Sequence, residues 1–302
     1  MTIDQFSTCD LQRTAHEAAR RYAVLQPVIV DKGPLFAEVM RRVEAAGVGV
    51  PERVVELGVG SGGFLEAVAA GGGWPGAWLA GCDLSEGQSR VAAGRLAELG
   101  RPAHFWGGVN ALDETSSFYH EVVPSGSVDV VVLSQFDHYA PDADDSWLAA
   151  ALRARGRVFT TKSGLRRLAR SRLRPGGWLM VIDDFAADSP ELQDEWSRAW
   201  DAHVVRALAT PEVLARLAAV DPEWSARVAH HYAPGRPVTE RLALAARARS
   251  RRRRRDLEET QSLGAAMTDF AALFGDGAWG VVPHPDQASF PQFFLFWGRV
   301  PT

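Results

Sequence analysis

The 302-residue chain contains two cysteines, Cys9 and Cys82. Two thiols cannot build a disulfide framework or a cysteine-rich zinc site, so a reducing compartment, the cytoplasm, is the expected location. Lysine is equally scarce. Of 33 basic residues only Lys32 and Lys162 are lysines, which argues against Schiff-base and pyridoxal phosphate chemistry. No apolar run approaches the roughly 20 residues needed to cross a bilayer. The first residues, with Asp4 and Asp10, lack the apolar core of a signal peptide. Neither a membrane partner nor secretion is therefore expected. Positive charge is not in excess either: the formal net charge is −4, unlike that of a broadly basic nucleic-acid binder.

What the chain does contain is apolar material in a regular order. Hydrophobic residues make up 46% and charged residues 23%, enough to bury a core in one large domain with appendages. Apolar positions at helical spacing over Leu11–Leu25 and Leu35–Ala46, separated by Asp31, Lys32 and Gly33, predict an N-terminal helical cap within residues 1–50. From Arg53 the texture changes. RVVELG, AWLAGCD, PAHFW, VDVVVLS and WLMVID read as strands separated by helix-like segments, which implies a mostly parallel sheet covered on both faces. Residues 51–185 are expected to form this core.

The alternation stops after Asp184. Residues 186–277 carry helical patterning around Glu191–Ala209, Pro211–Ala219, Pro222–His231 and Val238–Phe274, and predict a helical insertion. GAWGVV and QFFLFWGRV then return to strand character, so residues 278–302 are expected to close the sheet at seven strands. An insertion placed before the closing strands would sit over the carboxyl edge, where open α/β sheets bind ligands, and would act as a lid.

The most informative segment is Val54-Val55-Glu56-Leu57-Gly58-Val59-Gly60-Ser61-Gly62-Gly63. Gly58, Gly60 and Gly62 permit a tight turn, and the helix that follows offers unpaired N–H groups to a ligand. The string also satisfies G-x-G-x-x-G through Gly58, Gly60 and Gly63, so a nicotinamide dinucleotide fits the loop as well as S-adenosylmethionine does. Twenty residues past Gly63, Asp83 ends a strand, where its carboxylate can accept both ribose hydroxyls of an adenosine. The competing reading is purely structural: glycines that allow the turn, and an Asp83 that caps the helix beginning near Ser85.

Four segments in order, VVELGVGSG, GCDLS, SVDVVVLSQFDHY and LRPGGWLMVIDD, resemble the class I S-adenosylmethionine-dependent methyltransferases. The likeness covers about residues 51–184 and the final strands. It implies a Rossmann-like fold and S-adenosylmethionine as cofactor. It implies further that Glu56 organises the methionine end, that Asp83 holds the ribose and that Leu84 lies on adenine. Asn110 and Ala111 stand where the family often has an acidic residue followed by a small one. Asn110 departs from that pattern, although its carbonyl can accept an N–H. Ser134, at the end of the fourth strand, completes the expected cofactor set. The turn-strand LRPGGWLMVID and the aromatic terminal strand look like a methyltransferase ending and disfavour the dinucleotide.

Methyl transfer is an in-line displacement, so the protein must mainly align a nucleophile and exclude water. The fourth strand delivers His138, the leading candidate for a general base, with Asp137 to tune it and Tyr139 to orient an acceptor. Each also has a bland reading as a cap, a solvated charge or a half-buried aromatic. Catechol-type O-methyltransferases hold magnesium with carboxylates after the fourth and fifth strands. Asp183-Asp184 fills the second place but Ser134 stands at the first, so no metal is expected. His230-His231 reads as a helix-end pair. Gly156 to Ser163 approaches a P-loop, but Thr161 replaces its second glycine. Arg251–Arg255, followed by Asp256, Glu258 and Glu259, reads as a solvated helix face more readily than as an RNA contact. Trp196, Trp200, Trp224, Tyr232 and Phe270 either line an acceptor pocket or pack in the core.

The expected activity is methylation of a small-molecule acceptor at oxygen, nitrogen or carbon. The rivals are cyclisation of the cofactor's own aminopropyl chain with release of methylthioadenosine, a nicotinamide oxidoreductase, and RNA methylation or binding. A homodimer is compatible with the sequence.

Overall fold

In the computed structural model, which describes residues 31–46, 50–136, 139–232, 235–245 and 260–302, the strand Val128–Ser134 is buried at all seven positions. Its sequence, VDVVVLS, is β-branched on both sides of the pleat, which suits a strand covered on both faces. This is β4 of a seven-stranded sheet. The others are β1 (Arg53–Leu57), β2 (Trp78–Asp83), β3 (Ala103–Gly107), β5 (Leu173–Asp184), β6 (Trp279–Pro283) and β7 (Phe293–Arg299). Their order is β3-β2-β1-β4-β5-β7-β6. β1 to β5 run parallel to one another, and β7 pairs antiparallel with both β5 and β6. This is the mostly parallel α/β sheet expected from the sequence, with all seven strands where the apolar runs placed them.

The LRPGG segment makes β5 irregular. Val128 pairs with Leu173, but Val130 already pairs with Trp178, so the residues around Gly176 bulge out. The buried Asp129 ties this bulge down. Its carboxylate accepts the Glu52 and Arg53 backbone N–H groups at 2.9 and 2.8 Å and pairs with Arg174.

Helices enter where the sequence supplies caps. α1 spans Gly33–Ala45, α2 Gly63–Ala70, α3 Glu86–Glu98, α4 Trp147–Ala154 and α5 Lys162–Arg172. α6 (Pro190–Leu208), α7 (Pro211–Val220), α8 (Pro222–Tyr232) and α9 (Leu263–Phe274) lie between β5 and β6. Ser85, Ser146, Thr161, Ser189 and Ser262 each accept a backbone N–H from the first turn of their helix. α6, α7 and α8 each begin at a proline, whose missing N–H is harmless at that position.

Two cores cover the two faces of the sheet. One is built on Val55, Leu57, Val131, Leu133 and Val181 with Phe270 and Phe296; the other on Val54, Val130, Val132 and Met180 with Leu35, Val39 and Phe64. A third, smaller core of Val204, Val205, Leu208, Val213, Leu217, Val228 and Tyr232 joins α6, α7 and α8 to one another. Two aromatics expected either in a pocket or in the core pack in the core. Trp196 lies 5.9 Å from Phe294, and Phe270 is fully buried beside Phe296. Of the expected N-terminal cap, the part over Leu35–Ala46 is α1, and Leu11–Leu25 lies outside the described residues. Cys9 and the arginine run Arg251–Arg255 also lie outside them.

Candidate cofactor site

The parallel register brings the carboxyl ends of β1, β2 and β4 together, because Glu56 sits opposite both Gly81 and Val132. Past that edge the chain turns sharply. Gly58, Gly60 and Gly62 have φ of 68°, 53° and 83°, the left-handed region that side chains with a Cβ rarely adopt. Their surroundings differ. A Cβ on Gly62 would meet that of Ala92 at 2.9 Å, so this glycine lets α2 approach α3, whereas Gly60 faces open space.

Asp83 closes the turn from the neighbouring strand. One carboxylate oxygen accepts the Gly60 N–H at 2.9 Å and the other accepts the Ser85 N–H at 2.7 Å. Ser85, not Asp83, caps α3, its hydroxyl accepting from Gln88. Asp83 is thus a brace between loop and strand end. A carboxylate has about four acceptor positions, so two backbone bonds leave room for two hydroxyl donors. Burial pushes its pKa up, opposed by the Ser85 and Gly60 bonds.

Glu56 is almost wholly buried, at 2% exposure, and its Oε2 has no hydrogen-bond partner. Burial raises its pKa well above the usual carboxylate range, and the Lys32 ammonium works in the opposite direction. Lys32, only 6% exposed, donates to the Ser134 hydroxyl at 3.3 Å. Its pKa is lowered to about 8 by burial, against the attraction of Glu56, Asp183 and Asp184. Ser134 therefore meets a cation supplied by the chain itself. Asp183 is buried and accepts the Asp184 N–H at 2.9 Å. No cluster of three or more metal-ligating side chains occurs among the described residues.

The residues expected beside adenine are engaged locally. The Asn110 carbonyl accepts the Leu112 N–H at 3.2 Å and its amide donates to the Val158 carbonyl at 2.7 Å. Its side chain thus organises two loops, and a ligand contact has left to it the carbonyl's second lone pair and the amide's second N–H. Ala111 is buried, its carbonyl accepting the Tyr119 hydroxyl at 2.6 Å, while Leu84 is half-buried. Tyr139 stacks edge-on with Phe136, ring centroids 6.1 Å apart. Asp137 and His138 lie outside the described residues. His230 is an exposed helix-end residue against Arg236, and Lys162 is buried against Asp142 at 3.1 Å rather than presented to a phosphate.

Two residues of this site were not singled out from the sequence. Phe136 follows Gln135, whose φ of 51° is strained for a non-glycine residue and turns the chain back toward β1. The Phe136 ring consequently lies directly on Gly58, where an added Cβ would come within 2.1 Å of it. Lys32 lies far from the glycine loop in sequence; the one available signal was that lysine is so rare in this chain.

The strand order, the glycine turn after β1 and the acidic residue ending β2 define the class I S-adenosylmethionine-dependent methyltransferase fold. No protein-family model matches the chain, and no curated protein does. Solved structures do. CurJ carbon methyltransferase shares the fold at 12% identity with a TM-score of 0.52, over 96% of this chain and 59% of that one. The plantazolicin methyltransferase BpumL, solved with a desmethyl plantazolicin analogue and S-adenosylhomocysteine, is 10% identical with a TM-score of 0.49, over 99% of this chain and all of that one. An O-methyltransferase family protein from Burkholderia thailandensis is 16% identical with a TM-score of 0.45, over 90% of this chain and 57% of that one. The chain thus spans less than two thirds of the length of two of these three. Among the described residues no helix is long and apolar enough to cross a membrane.

Proposed function

We propose that the protein is an S-adenosylmethionine-dependent methyltransferase acting on a small molecule. The observation that carries this reading is the pair of carboxylates flanking the glycine turn: Asp83, braced to Gly60, and Glu56, buried with an unused acceptor oxygen. An orphan buried acceptor costs roughly 1–3 kcal/mol. A ligand with a cationic donor at that point relieves this cost, and the open space over Gly60 leaves room for one.

In this reading Asp83 takes the ribose hydroxyls, Leu84 and Asn110 border the adenine, and Glu56 takes the α-ammonium group. When bound, S-adenosylmethionine supplies an electrophilic methyl group. The chain's own residues bind and orient the partners and exclude water. Phe136 walls the glycine turn, and the helices α6 to α8 between β5 and β6 serve as the lid. That role is supported by the packing of Trp200 on Phe290 and Phe293, since Phe293 pairs with Asp184 at the carboxyl end of β5. His138 is proposed as the base for a protonated acceptor, with Asp137 tuning the imidazole and Tyr139 orienting the acceptor.

Calorimetry with S-adenosylhomocysteine tests the reading: micromolar binding supports it, and no heat from folded protein overturns it. Incubation with S-adenosylmethionine alone separates methyl transfer from cyclisation. Accumulation of methylthioadenosine without an acceptor would select the latter. His138→Ala is expected to depress turnover more than cofactor affinity, and an unimpaired rate would return His138 to a packing role.

A further inference from the structure

Lys32 and Glu56 present an unusual pairing. Both are buried, they are close enough to perturb one another electrostatically, and yet no ion pair of 4.0 Å or less joins them. The ammonium has three N–H donors and spends one of them, on Ser134; the carboxylate oxygen Oε2 accepts nothing. A buried ammonium and a buried carboxyl group that do not close on each other leave donors and an acceptor unmet unless something bridges them. The complementary group is a zwitterion, with an anionic end for Lys32 and a cationic end for Glu56.

The backbone around Lys32 is built to hold it there. Lys32 precedes the first residue of α1, and its carbonyl accepts the Phe36 N–H at 2.9 Å. The carbonyl of Asp31 accepts Nε2–H of His284 at 2.6 Å. His284 is buried in the turn after β6, and its Nδ1 accepts the Asp286 N–H at 3.1 Å. Its two partners, a carbonyl and an N–H, together require the Nε2–H tautomer. The turn between the last two strands thereby clamps the segment that carries Lys32 over the carboxyl edge of β4.

Building on the cofactor reading above, we infer that Lys32 binds the carboxylate of the cofactor's amino-acid end opposite Glu56, and that His284 is a positioning residue for it. The chemistry is specific. An ammonium in a buried site recognises a carboxylate through a charge-assisted hydrogen bond, which an adenosine ligand lacking that carboxylate cannot form.

The test compares S-adenosylhomocysteine with its decarboxylated analogue, S-adenosyl-3-thiopropylamine, by calorimetry on the full chain. Wild type is expected to prefer the carboxylated ligand by about tenfold or more, the effect of one charge-assisted hydrogen bond. Lys32→Met should abolish that preference while binding the analogue as wild type does. His284→Ala should reduce the preference, and His284→Gln, whose amide can still donate to Asp31, should restore it in part. Equal loss for both ligands in Lys32→Met, or no loss, overturns the inference while leaving the cofactor reading intact. Wild type that binds neither ligand overturns both. Should Lys32→Met fail to fold, wild type decides alone, since equal affinity for the two ligands excludes a carboxylate contact.

Discussion

Gly58 and Gly60 both hold positive φ, but only one of them has a neighbour where a Cβ would go. For Gly60→Ala the cost is the backbone alone, about 1–2 kcal/mol. Gly58→Ala adds overlap with the Phe136 ring and is expected to cost about 2–4 kcal/mol in urea denaturation, part of it recovered when Phe136→Ala is combined with it. Equal losses at the two glycines would mean that Phe136 does not press on the turn. Asp83→Ala removes the acceptor of both the Gly60 and Ser85 N–H groups. It should weaken S-adenosylhomocysteine binding by roughly 1–3 kcal/mol, read by calorimetry. The glycines and Asp83 were legible in the sequence because a turn after an apolar strand restricts residue type locally. Lys32 was not, because nothing local distinguishes a lysine that returns to the sheet from one in solvent.

Among the elements, α9 is held on the sheet by more than its apolar face. Asp269 accepts from Ser163 at 2.8 Å, from Arg166 at 3.2 Å and from Gln261 at 2.9 Å, joining α9 to the first turn of α5. Arg166 is 1% exposed, so taking away one of its acceptors is costly. Asp269→Ala is expected to lose about 2–3 kcal/mol and to raise amide exchange in α9 ahead of the β4 and β5 strands. Uniform exchange across the molecule would place the loss elsewhere. The strands and the helices at Pro211 and Pro222 were readable from apolar period and from the prolines that open them. The aromatics of the segment between β5 and β6 were ambiguous, since helical spacing is common to core and pocket. Their packing on β7 and in the third core resolved them.

At the scale of the whole molecule, the buried charges link stability to pH. The folded pKa of Lys32 lies at about 8, below its unfolded value of 10.5. Between those values the unfolded chain binds more protons than the folded one, so the Lys32 contribution to stability rises with pH across that window and is least favourable below it. Glu56 works in the reverse sense. Its folded pKa is raised, so the folded chain holds the proton longer and stability falls as pH climbs above the ordinary carboxylate range. Burial of Cys82 likewise raises its thiol pKa and lowers stability toward alkaline pH. Subtracting the urea stability of Lys32→Met from that of wild type isolates the lysine, and the difference should climb from pH 8 toward pH 10. A flat difference would show that Lys32 is not buried as described.

The sequence by itself determined the alternation of strands and helices, the site of the sharp turn after β1 and the acidic residue ending β2, because each depends on residues adjacent along the chain. Tertiary structure alone decided which distant groups share the sheet edge. The parallel register set β1, β2 and β4 side by side, a strained Gln135 turned Phe136 onto Gly58, and a carbonyl held by His284 carried Lys32 to Ser134 and Glu56. The Lys32–Ser134 contact spans 102 residues and the His284–Asp31 contact 253, and no local preference encodes them; burial and hydrogen-bond satisfaction across the whole fold select them.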